Sequence, residues 1–499
     1  MSVLIDLFSE TDSTLPAIDA PDRSTLTHGA LNEQIKVVGG ELAALNIGAD
    51  DRVAIVLPNG PLMASAFVCM SPWCATAPLN PAYKRDEFEF YLNDLDTKLL
   101  IVEAGSSSPV VDVAHKLGIR VVELEEKEHA GAFSLGHGPI AVENRRDDAI
   151  ALILHTSGTT SRPKMVPLTQ INLAASAKNI SQTLHLSSED RCMNVMPLFH
   201  IHGLMAPVLA NISAGASVYC TPGFDALRFF SWLDAAQPTW YSAVPTMHQA
   251  ILARSIRNED SVRQAQLRFI RSSSASLPPQ VMNDLEKTFG APVVEAYAMT
   301  EAAHQMCSNP LPPLERKPGF VGPSAGPEVG IMTAEGHMLE QGQEGEIVIK
   351  GPNVTSGYLA NDEANATAFH PGNWFRTGDQ GIMDEAGYVK VTGRLKEIIN
   401  RGGEKIAPLE IDEVILDHES VAQACSFAIP HDKLGEDVAA AIVLRDGKQL
   451  DEKELRQFVS ERLADFKVPR KVVFVDEIPK GATGKIQRIG LAKQLGLSH

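Results

Sequence analysis

One polar loop has the composition of a phosphate-binding site. The segment from Leu154 to Lys164 reads Leu-His-Thr-Ser-Gly-Thr-Thr-Ser-Arg-Pro-Lys and follows a short apolar run. Its hydroxyl side chains and backbone N–H groups can surround phosphate oxygens, and Lys164 adds a positive charge. A Walker A loop differs, because it ends in Gly-Lys-Ser/Thr ahead of a helix. Taken alone, the segment is equally typical of an exposed surface loop.

A second segment, Glu295-Ala-Tyr-Ala-Met-Thr-Glu301, combines groups that suit a nucleotide. The ring of Tyr297 can cover a base, and the Thr300 hydroxyl can reach a phosphate. The Glu301 carboxylate can hold Mg²⁺ while phosphate oxygens complete the metal's shell. In isolation, the same residues favour a simple helix start capped by the threonine.

Two further segments place charged groups beside glycines. Asp379 ends Trp-Phe-Arg-Thr-Gly-Asp, where its carboxylate could accept ribose hydroxyls, and Arg394 could donate to the same sugar. Lys485 ends Lys-Gly-Ala-Thr-Gly-Lys near the end of the chain. By themselves these positions are also explained by an Asp in a β-turn and by exposed basic side chains.

The elements that would position these loops alternate between helix and strand. Leu31–Leu45 and Leu62–Cys69 have helical patterns, whereas Val53–Leu57 and Leu99–Val102 are short apolar strands. Further short strands precede polar loops at Ala149–Leu154, Cys192–Met196, Ser217–Cys220 and Phe269–Ser272. This alternation predicts an α/β fold of stacked parallel layers, with ligands at the strand ends.

The pattern changes after residue 320. Glu344–Gly351 and Gly387–Gly393 are short alternating strands between glycines, which predicts a small antiparallel β subdomain. The charged segment that follows is the size of a domain. We therefore predict a large N-terminal domain over residues 1–393, a hinge at 394–396 and a smaller α+β domain over 397–499.

Composition and charge narrow the class of protein. Of the 499 residues, 44% are hydrophobic and 21% are charged, which is the balance of a globular protein. A formal net charge of −18 would repel nucleic acids and anionic membranes, so neither is an expected partner. The six cysteines form no C-x-x-C pair, and no apolar stretch is long enough to span a bilayer. We therefore expect a cytoplasmic enzyme.

Together and in this order, the segments resemble the adenylate-forming superfamily of acyl-CoA synthetases, 4-coumarate–CoA ligases and luciferases, over nearly the whole chain. The resemblance implies ATP, Mg²⁺ and CoA, a small carboxylic acid as substrate, and an acyl-adenylate intermediate. It implies a nucleotide site formed by Thr156, Ser157, Gly158, Thr159, Thr160, Lys164, Ser274, Ala275, Glu295, Ala296, Tyr297, Asp379 and Arg394.

The same resemblance implies the catalytic roles. Thr300 would contact AMP, Glu301 would bind Mg²⁺, and Lys485 would promote formation of the adenylate. Lys396 would be the hinge about which a mobile C-terminal domain rotates before the CoA thiol attacks. His200 would lie beside the acyl group, although a lone histidine is as often a core residue with satisfied hydrogen bonds.

The sequence departs from the family pattern at the end of the phosphate loop. The usual Thr-Gly-x-Pro-Lys-Gly reads Thr160-Ser-Arg-Pro-Lys-Met165 here. A bulky residue in place of the last glycine reduces backbone freedom, which predicts slower loop closure and adenylation.

The segments that match the acyl pocket are unusually polar. Arg271-Ser-Ser-Ser-Ala-Ser276 and Ala302-Ala-His304 face the segment that contains His200 and His202. Within the superfamily, Leu267–Leu277 and Glu295–His304 resemble the oxalate–CoA ligase group, which is also described as 4-coumarate–CoA ligase-like. Hydroxyls and imidazoles suit a second carboxylate, because they replace its lost water. We therefore predict oxalate as substrate and an acyl pocket of His200, His202, Ser272, Ser274, Ser276 and His304.

Several alternatives remain open. A ligase for 4-coumarate or a medium-chain fatty acid would share the whole reaction, and an enzyme that loads a carrier protein would share the adenylation step. A non-catalytic nucleotide-binding protein is the remaining alternative, against which stand Glu301, Asp379, Arg394 and Lys485. The sequence leaves the oligomeric state undetermined.

Overall fold

The structure, a computed structural model, describes residues 4–8, 11–142, 146–156, 163–481 and 485–497. The strands of the first 310 residues are β1 (Pro16–Asp19), β2 (Leu26–Thr27), β3 (Arg52–Val56), β4 (Ala75–Pro78), β5 (Leu99–Glu103), β6 (Arg120–Leu124), β7 (Ile150–His155), β8 (Met165–Thr169), β9 (Arg191–Asn194), β10 (Ser217–Cys220), β11 (Trp240–Ala243), β12 (Phe269–Ser273), β13 (Val293–Met299) and β14 (His304–Ser308). The later strands are β15 (Glu328–Met332), β16 (Glu344–Lys350), β17 (Phe369–His370), β18 (Trp374–Met383), β19 (Val389–Arg394), β20 (Ile399–Arg401), β21 (Glu404–Ile406), β22 (Val421–His431), β23 (Gly435–Leu444) and β24 (Lys471–Phe474).

Helices connect and cover these strands. They are α1 (His28–Ala44), α2 (Pro61–Met70), α3 (Arg85–Asp94), α4 (Pro109–Lys116), α5 (Gln170–Thr183), α6 (Ile201–Gly203), α7 (Asn211–Ser213), α8 (Phe229–Ala236), α9 (Pro245–Ser255), α10 (Glu259–Gln264), α11 (Pro279–Phe289), α12 (Asp362–Asn365), α13 (Pro408–Leu416), α14 (Glu452–Ser460) and α15 (Leu491–Gln494). A π-helical stretch, Leu204–Ala210, joins α6 to α7, and single 3₁₀ turns form at Leu4–Phe8, Thr300–Ala302 and Asp465–Lys467.

Four sheets organise the chain. Two of them are mostly parallel, with strand orders β14-β13-β12-β11-β9-β10-β1-β2 and β6-β5-β3-β4-β7-β8. A third, built from β15 to β19, is antiparallel, and the fourth combines β20 to β24 at the C-terminal end of the chain. The predicted fold class, α/β layers with an antiparallel β subdomain and a smaller α+β domain, is confirmed.

The parallel strands read as apolar runs because helices cover both of their faces. Val53, Ala54 and Ile55 in β3 are fully buried, as expected for a strand inside a parallel sheet. Polar side chains therefore collect where strands end. In the described part of the chain, no helix is both long enough and apolar enough to cross a membrane.

Strand register brings the predicted site segments to one edge. β11, β12 and β13 are parallel neighbours, so the residues after their carboxyl ends meet. The antiparallel pairing of β18 with β19 sets Asp379 opposite Arg394.

Met165 is a strand residue, whereas the sequence pattern placed it at the end of the phosphate loop. Its predicted effect on loop closure and adenylation stays a prediction. It opens β8, pairs with His155 on β7, and accepts a 3.0 Å hydrogen bond at its carbonyl from the Leu359 N–H. Its side chain is buried in an apolar cluster that includes Ile153. A glycine would leave a cavity there, without giving freedom to a residue whose backbone is fixed by a strand.

We predict that Met165→Gly destabilises the protein by about 2–5 kcal/mol and does not speed adenylation, because a buried side chain is lost. Urea unfolding and pyrophosphate exchange measure the two effects. Met165→Leu, which conserves volume, is the matched control and should cost less than about 1.5 kcal/mol. Faster exchange in Met165→Gly at unchanged stability would show that the methionine does restrain the loop.

Candidate active site

A buried carboxylate links two of the predicted nucleotide residues. The Tyr297 hydroxyl donates to Asp379 Oδ2 at 2.5 Å, and Arg394 Nε donates to Asp379 Oδ1 at 2.9 Å. Burial and the adjacent carboxylate raise the pKa of Tyr297 well above its usual value, so its hydroxyl remains a donor. Each Asp379 oxygen retains a lone pair, which allows the carboxylate to accept two neighbouring hydroxyl groups of a ligand.

These residues line a pocket of about 320 Å³ between the large domain and the C-terminal part of the chain. Seven of the predicted nucleotide residues are among its lining: Ser274, Ala275, Glu295, Ala296, Tyr297, Asp379 and Arg394. Ser276, which we predicted in the acyl pocket, lines it as well. The C-terminal segment contributes Glu397, Asp412, Lys485 and Arg488. The structure thus brings together segments as far apart in sequence as Ser274 and Arg488.

Lys485 enters this pocket from the C-terminal side. The surrounding protein, and then the Arg394 cation, lower its pKa to about 8, whereas Asp379 and Glu301 act in the opposite direction. The ammonium group is therefore charged below about pH 8 and lies within electrostatic reach of both carboxylates. The Gly481 N–H donates to the Lys485 carbonyl at 2.8 Å, which closes the loop that carries the lysine.

Glu301 occupies the other end of the site, just after Thr300 in the 3₁₀ turn. Its carboxylate is buried and accepts a 2.9 Å hydrogen bond from the Tyr358 hydroxyl. Lys164 Nζ lies 4.3 Å from the centre of the Tyr358 ring. Burial lowers the pKa of Lys164, and the Lys396 cation lowers it further. The predicted hinge residue Lys396 and the Glu301 carboxylate therefore both lie within electrostatic reach of Lys164 at the base of the predicted phosphate loop.

The phosphate loop is closed at its base by Thr156. The Thr156 N–H donates to the Lys164 carbonyl at 2.9 Å, and the Lys164 N–H donates to the Thr156 hydroxyl at 3.3 Å. The remaining predicted loop residues, Ser157, Gly158, Thr159 and Thr160, lie outside the described residues.

Two stacked histidines lie beyond Ser274. The rings of His202 and His304 are 4.9 Å apart at 24°, and both residues are fully buried. Burial is the main cause that keeps the pKa of each imidazole well below its usual value, so both are neutral. Within the described part of the chain, neither ring nitrogen of His304 has a hydrogen-bond partner. Its backbone φ of +96° is in the left-handed region that non-glycine residues rarely adopt, which is typical of functional sites.

Arg271 lies beside this pair, fully buried in β12. Its Nη2 donates to Gln305 Oε1 at 3.2 Å, and its Nε has no partner among the described residues. Burial lowers its pKa only to about 9, so the guanidinium is still charged at neutral pH. No ion pair with a carboxylate forms at Arg271 within those residues. We assigned Arg271 no role from the sequence, although a charged residue directly after the apolar pair Phe269-Ile270 in a predicted strand could have indicated one.

The two remaining residues of the predicted acyl pocket, His200 and Ser272, lie in different places. His200 caps α6 by accepting the His202 N–H at Nδ1, 3.4 Å away, and the surrounding protein and the Lys485 cation lower its pKa to about 3. Ser272 alternates with Arg271 along β12, so its buried hydroxyl points to the opposite face of the sheet and away from the histidine pair. The structure does not bring Ser272 to the other predicted acyl-pocket residues.

The known proteins that this chain resembles are AMP-binding enzymes and CoA ligases. Residues 9–359 match the AMP-binding enzyme family, and residues 410–485 match the AMP-binding enzyme C-terminal domain. The chain is 46% identical to a probable CoA ligase of Humulus lupulus, covering 93% of this chain and 90% of that protein. It is 44% identical to an oxalate–CoA ligase of Arabidopsis thaliana, covering 95% and 94% of the two chains.

One solved relative allows a comparison with two ligand states. MatB from Rhodopseudomonas palustris covers 98% of both chains at 28% identity in its ATP-bound form, with a TM-score of 0.90. The ligand-free form of MatB gives a lower TM-score of 0.81 at the same coverage. The overall structure of this chain is thus more similar to the ATP-bound form of MatB than to its ligand-free form. From its family match and these relatives, the chain belongs to the AMP-binding enzyme family, as an adenylate-forming acyl-CoA synthetase that ligates an acid to a thiol.

Proposed function

We propose that this protein is an AMP-forming oxalate–CoA ligase, which converts oxalate, ATP and CoA to oxalyl-CoA, AMP and pyrophosphate. One observation carries the choice of acid. Arg271, His202 and His304 are fully buried side by side, and no carboxylate of the described residues pairs with the guanidinium. The oxalate–CoA ligase among the relatives supports the same substrate.

Charge and hydrogen bonding both favour an acid with a second carboxylate. A buried charge is costly when it lacks an opposite charge, and an anionic ligand would remove that cost. A fatty or aromatic acid has only one carboxylate, which reacts at the phosphate, and its apolar part would be placed against charged and imidazole groups. A small acid with a second carboxylate would instead accept from the N–H of the neutral His304 ring and from Arg271 Nε, neither of which has a partner among the described residues.

The residues that line the pocket would bind the ribose and adenine of ATP. Asp379 and Arg394 would hold the ribose, and the Tyr297 ring would pack on the adenine. Burial raises the pKa of Glu295 to about 8, and its Oε1 accepts the Leu277 N–H at 2.8 Å. Its second oxygen has no partner among the described residues and would meet polar groups of the base.

Glu301 fits a magnesium ion that is brought in with ATP. Among the described residues no three His, Cys, Asp or Glu side chains could hold a metal together, so Glu301 would be a lone protein ligand. Mg²⁺ accepts such a site, because it takes one or two carboxylates and completes its shell with phosphate oxygens and water. When bound, the ion would neutralise phosphate charge near Glu301.

In the first step, one oxalate oxygen attacks the α-phosphorus of ATP, and the bond from that phosphorus to the bridging oxygen breaks to release pyrophosphate. Two anions must meet, and the charged Lys485 would stabilise them where negative charge develops. In the second step, the CoA sulfur attacks the acyl carbon, the thiol proton is lost, and AMP leaves with its oxygen.

The proposed hinge is bounded by an ion pair on each side. Arg394 is tied to Asp379 in the large domain, and Glu397 is tied to Arg488 at 3.0 Å. Arg488 also binds Asp412 at 2.9 Å within the C-terminal segment. Leu395 and Lys396 remain as the two residues between the anchors, which supports a domain boundary there and rotation at Lys396.

The proposed compartment is the cytoplasm. All six cysteines are buried as free thiols, which is the state expected of a protein in a reducing environment.

We predict that oxalate with MgATP supports exchange of labelled pyrophosphate without CoA, and that CoA then yields AMP and a thioester. 4-Coumarate and octanoate should be poor substrates, because the acyl end is polar. Coupled AMP detection over a panel of acids measures kcat/KM for each. Higher kcat/KM for 4-coumarate or octanoate than for oxalate would reject oxalate as the substrate, and formation of ADP would reject the adenylation reaction itself.

We predict opposite effects for Lys485→Ala and Lys396→Pro. Loss of Lys485 should slow pyrophosphate exchange by roughly a few hundredfold and spare thioester formation from synthetic oxalyl-AMP, because the charge is needed only in the first step. Proline at the hinge should spare exchange and slow the thioester step, because it restricts rotation. Lys405→Ala, in β21 and outside the pocket, is the control. Equal loss of both half-reactions in Lys396→Pro would argue against rotation at this residue.

A further inference from the structure

The buried cluster beside the acyl site contains a hydrogen-bonded chain with a defined direction. Ser242 on β11 and Arg271 on β12 are register partners of neighbouring parallel strands, so their side chains share one face of the sheet. Arg271 Nη1 lies 3.4 Å from Ser242 Oγ and 3.5 Å from His202 Nε2. The chain continues from His202 Nδ1 to Ser274 Oγ at 3.0 Å.

Arginine fixes the direction because a guanidinium can only donate. The Arg271 N–H is directed at His202 Nε2 from 3.5 Å, which favours the tautomer in which this nitrogen presents its lone pair. The Ser242 hydroxyl, which accepts from Arg271, then donates to the same lone pair at 2.6 Å, so that lone pair is shared by a short bond from the serine and a longer one from the arginine. A neutral imidazole with an accepting Nε2 carries its hydrogen on Nδ1.

The consequence appears at Ser274. Since His202 Nδ1–H donates to Ser274 Oγ, the serine accepts from the histidine and its own O–H is left for another group. Ser274 has a backbone φ of +77° and lines the pocket that also contains Lys485. In the opposite tautomer Ser274 would donate to Nδ1 and present lone pairs to an incoming carboxylate, which would repel it.

We infer that Arg271 and Ser242 are positioning residues that fix the tautomer of His202 and thereby keep the Ser274 hydroxyl as a hydrogen-bond donor to the acid substrate. The part of this inference that concerns binding of the acid rests on the proposed function, because it is tested with oxalate. The tautomer itself is a property of the free enzyme.

A double-mutant cycle separates this function from simple packing. Ser274→Ala and Ser242→Ala should each raise the oxalate KM, by about ten- to a hundredfold for Ser274→Ala, with the ATP KM changed less than about twofold. Ser242→Ala should add nothing in the Ser274→Ala background, because the chain acts through that hydroxyl. Ser242→Thr keeps a hydroxyl and should retain a low oxalate KM. Ser65→Ala, a buried serine that binds the Gly131 carbonyl far from the site, is the control.

Additive effects of Ser242→Ala and Ser274→Ala would overturn the inference, because a packing defect is independent of Ser274. The second measurement needs no substrate: ¹⁵N NMR of histidine-labelled enzyme, with the His202 signal assigned from His202→Gln. We expect protonated Nδ1 and unprotonated Nε2 in the free enzyme, and a protonated Nε2 would overturn the inference. If the wild-type enzyme shows the expected tautomer and does not use oxalate, the proposed substrate fails and the hydrogen-bonded chain stands.

Discussion

The Arg271 guanidinium, buried with no carboxylate partner among the described residues, is the constraint on which the proposed acyl end of this site depends. Arg271 remains charged in the core, and its described side-chain partners are neutral: the Ser242 hydroxyl, the Gln305 amide and the His202 imidazole. Such a charge costs several kcal/mol when unpaired, so a fold that keeps it must recover the cost elsewhere. An anionic substrate would recover it at the moment of binding, and this makes the charge a determinant of specificity.

Positive charges also lie along the rest of the proposed site. A chain with a net charge of −18 concentrates cations where its anionic substrates must meet: Arg271 at the acyl end, Lys485 and Arg394 in the middle, and Lys164 near Glu301. These cations come from separate elements, and Lys485 belongs to the C-terminal part of the chain. Because the C-terminal part supplies the lysine, a change in its position would remove that charge from the site while the acyl end stays unchanged.

Much of the fold and part of the site could be predicted from sequence. Short apolar runs between helical patterns located β3, β5, β10 and β12 within one or two residues, since burial of both faces leaves a direct trace in composition. Asp379 and Arg394 were expected near each other, because both were predicted to bind the same ribose, and the ion pair between them was found only in the structure. The interdomain pocket also contains most of the predicted nucleotide residues.

Other features depended on three-dimensional contacts. Met165 looked like a bulky residue in a loop, because a glycine usually stands there, yet its side chain belongs to an apolar cluster formed with Ile153. Tyr358 was not predicted, because its link to Glu301 joins residues 57 positions apart. Ser242 has no local signal at all, since only the register between β11 and β12 sets it beside Arg271.

The most direct test of the charge constraint compares oxalate with oxamate, its isosteric monoanion, in the wild-type enzyme, Arg271→Lys and Arg271→Met. We expect kcat/KM to favour oxalate by at least about a hundredfold in the wild type, to keep that preference with lysine, and to lose most of it with methionine. An equal preference in all three enzymes would contradict a specificity based on the buried positive charge.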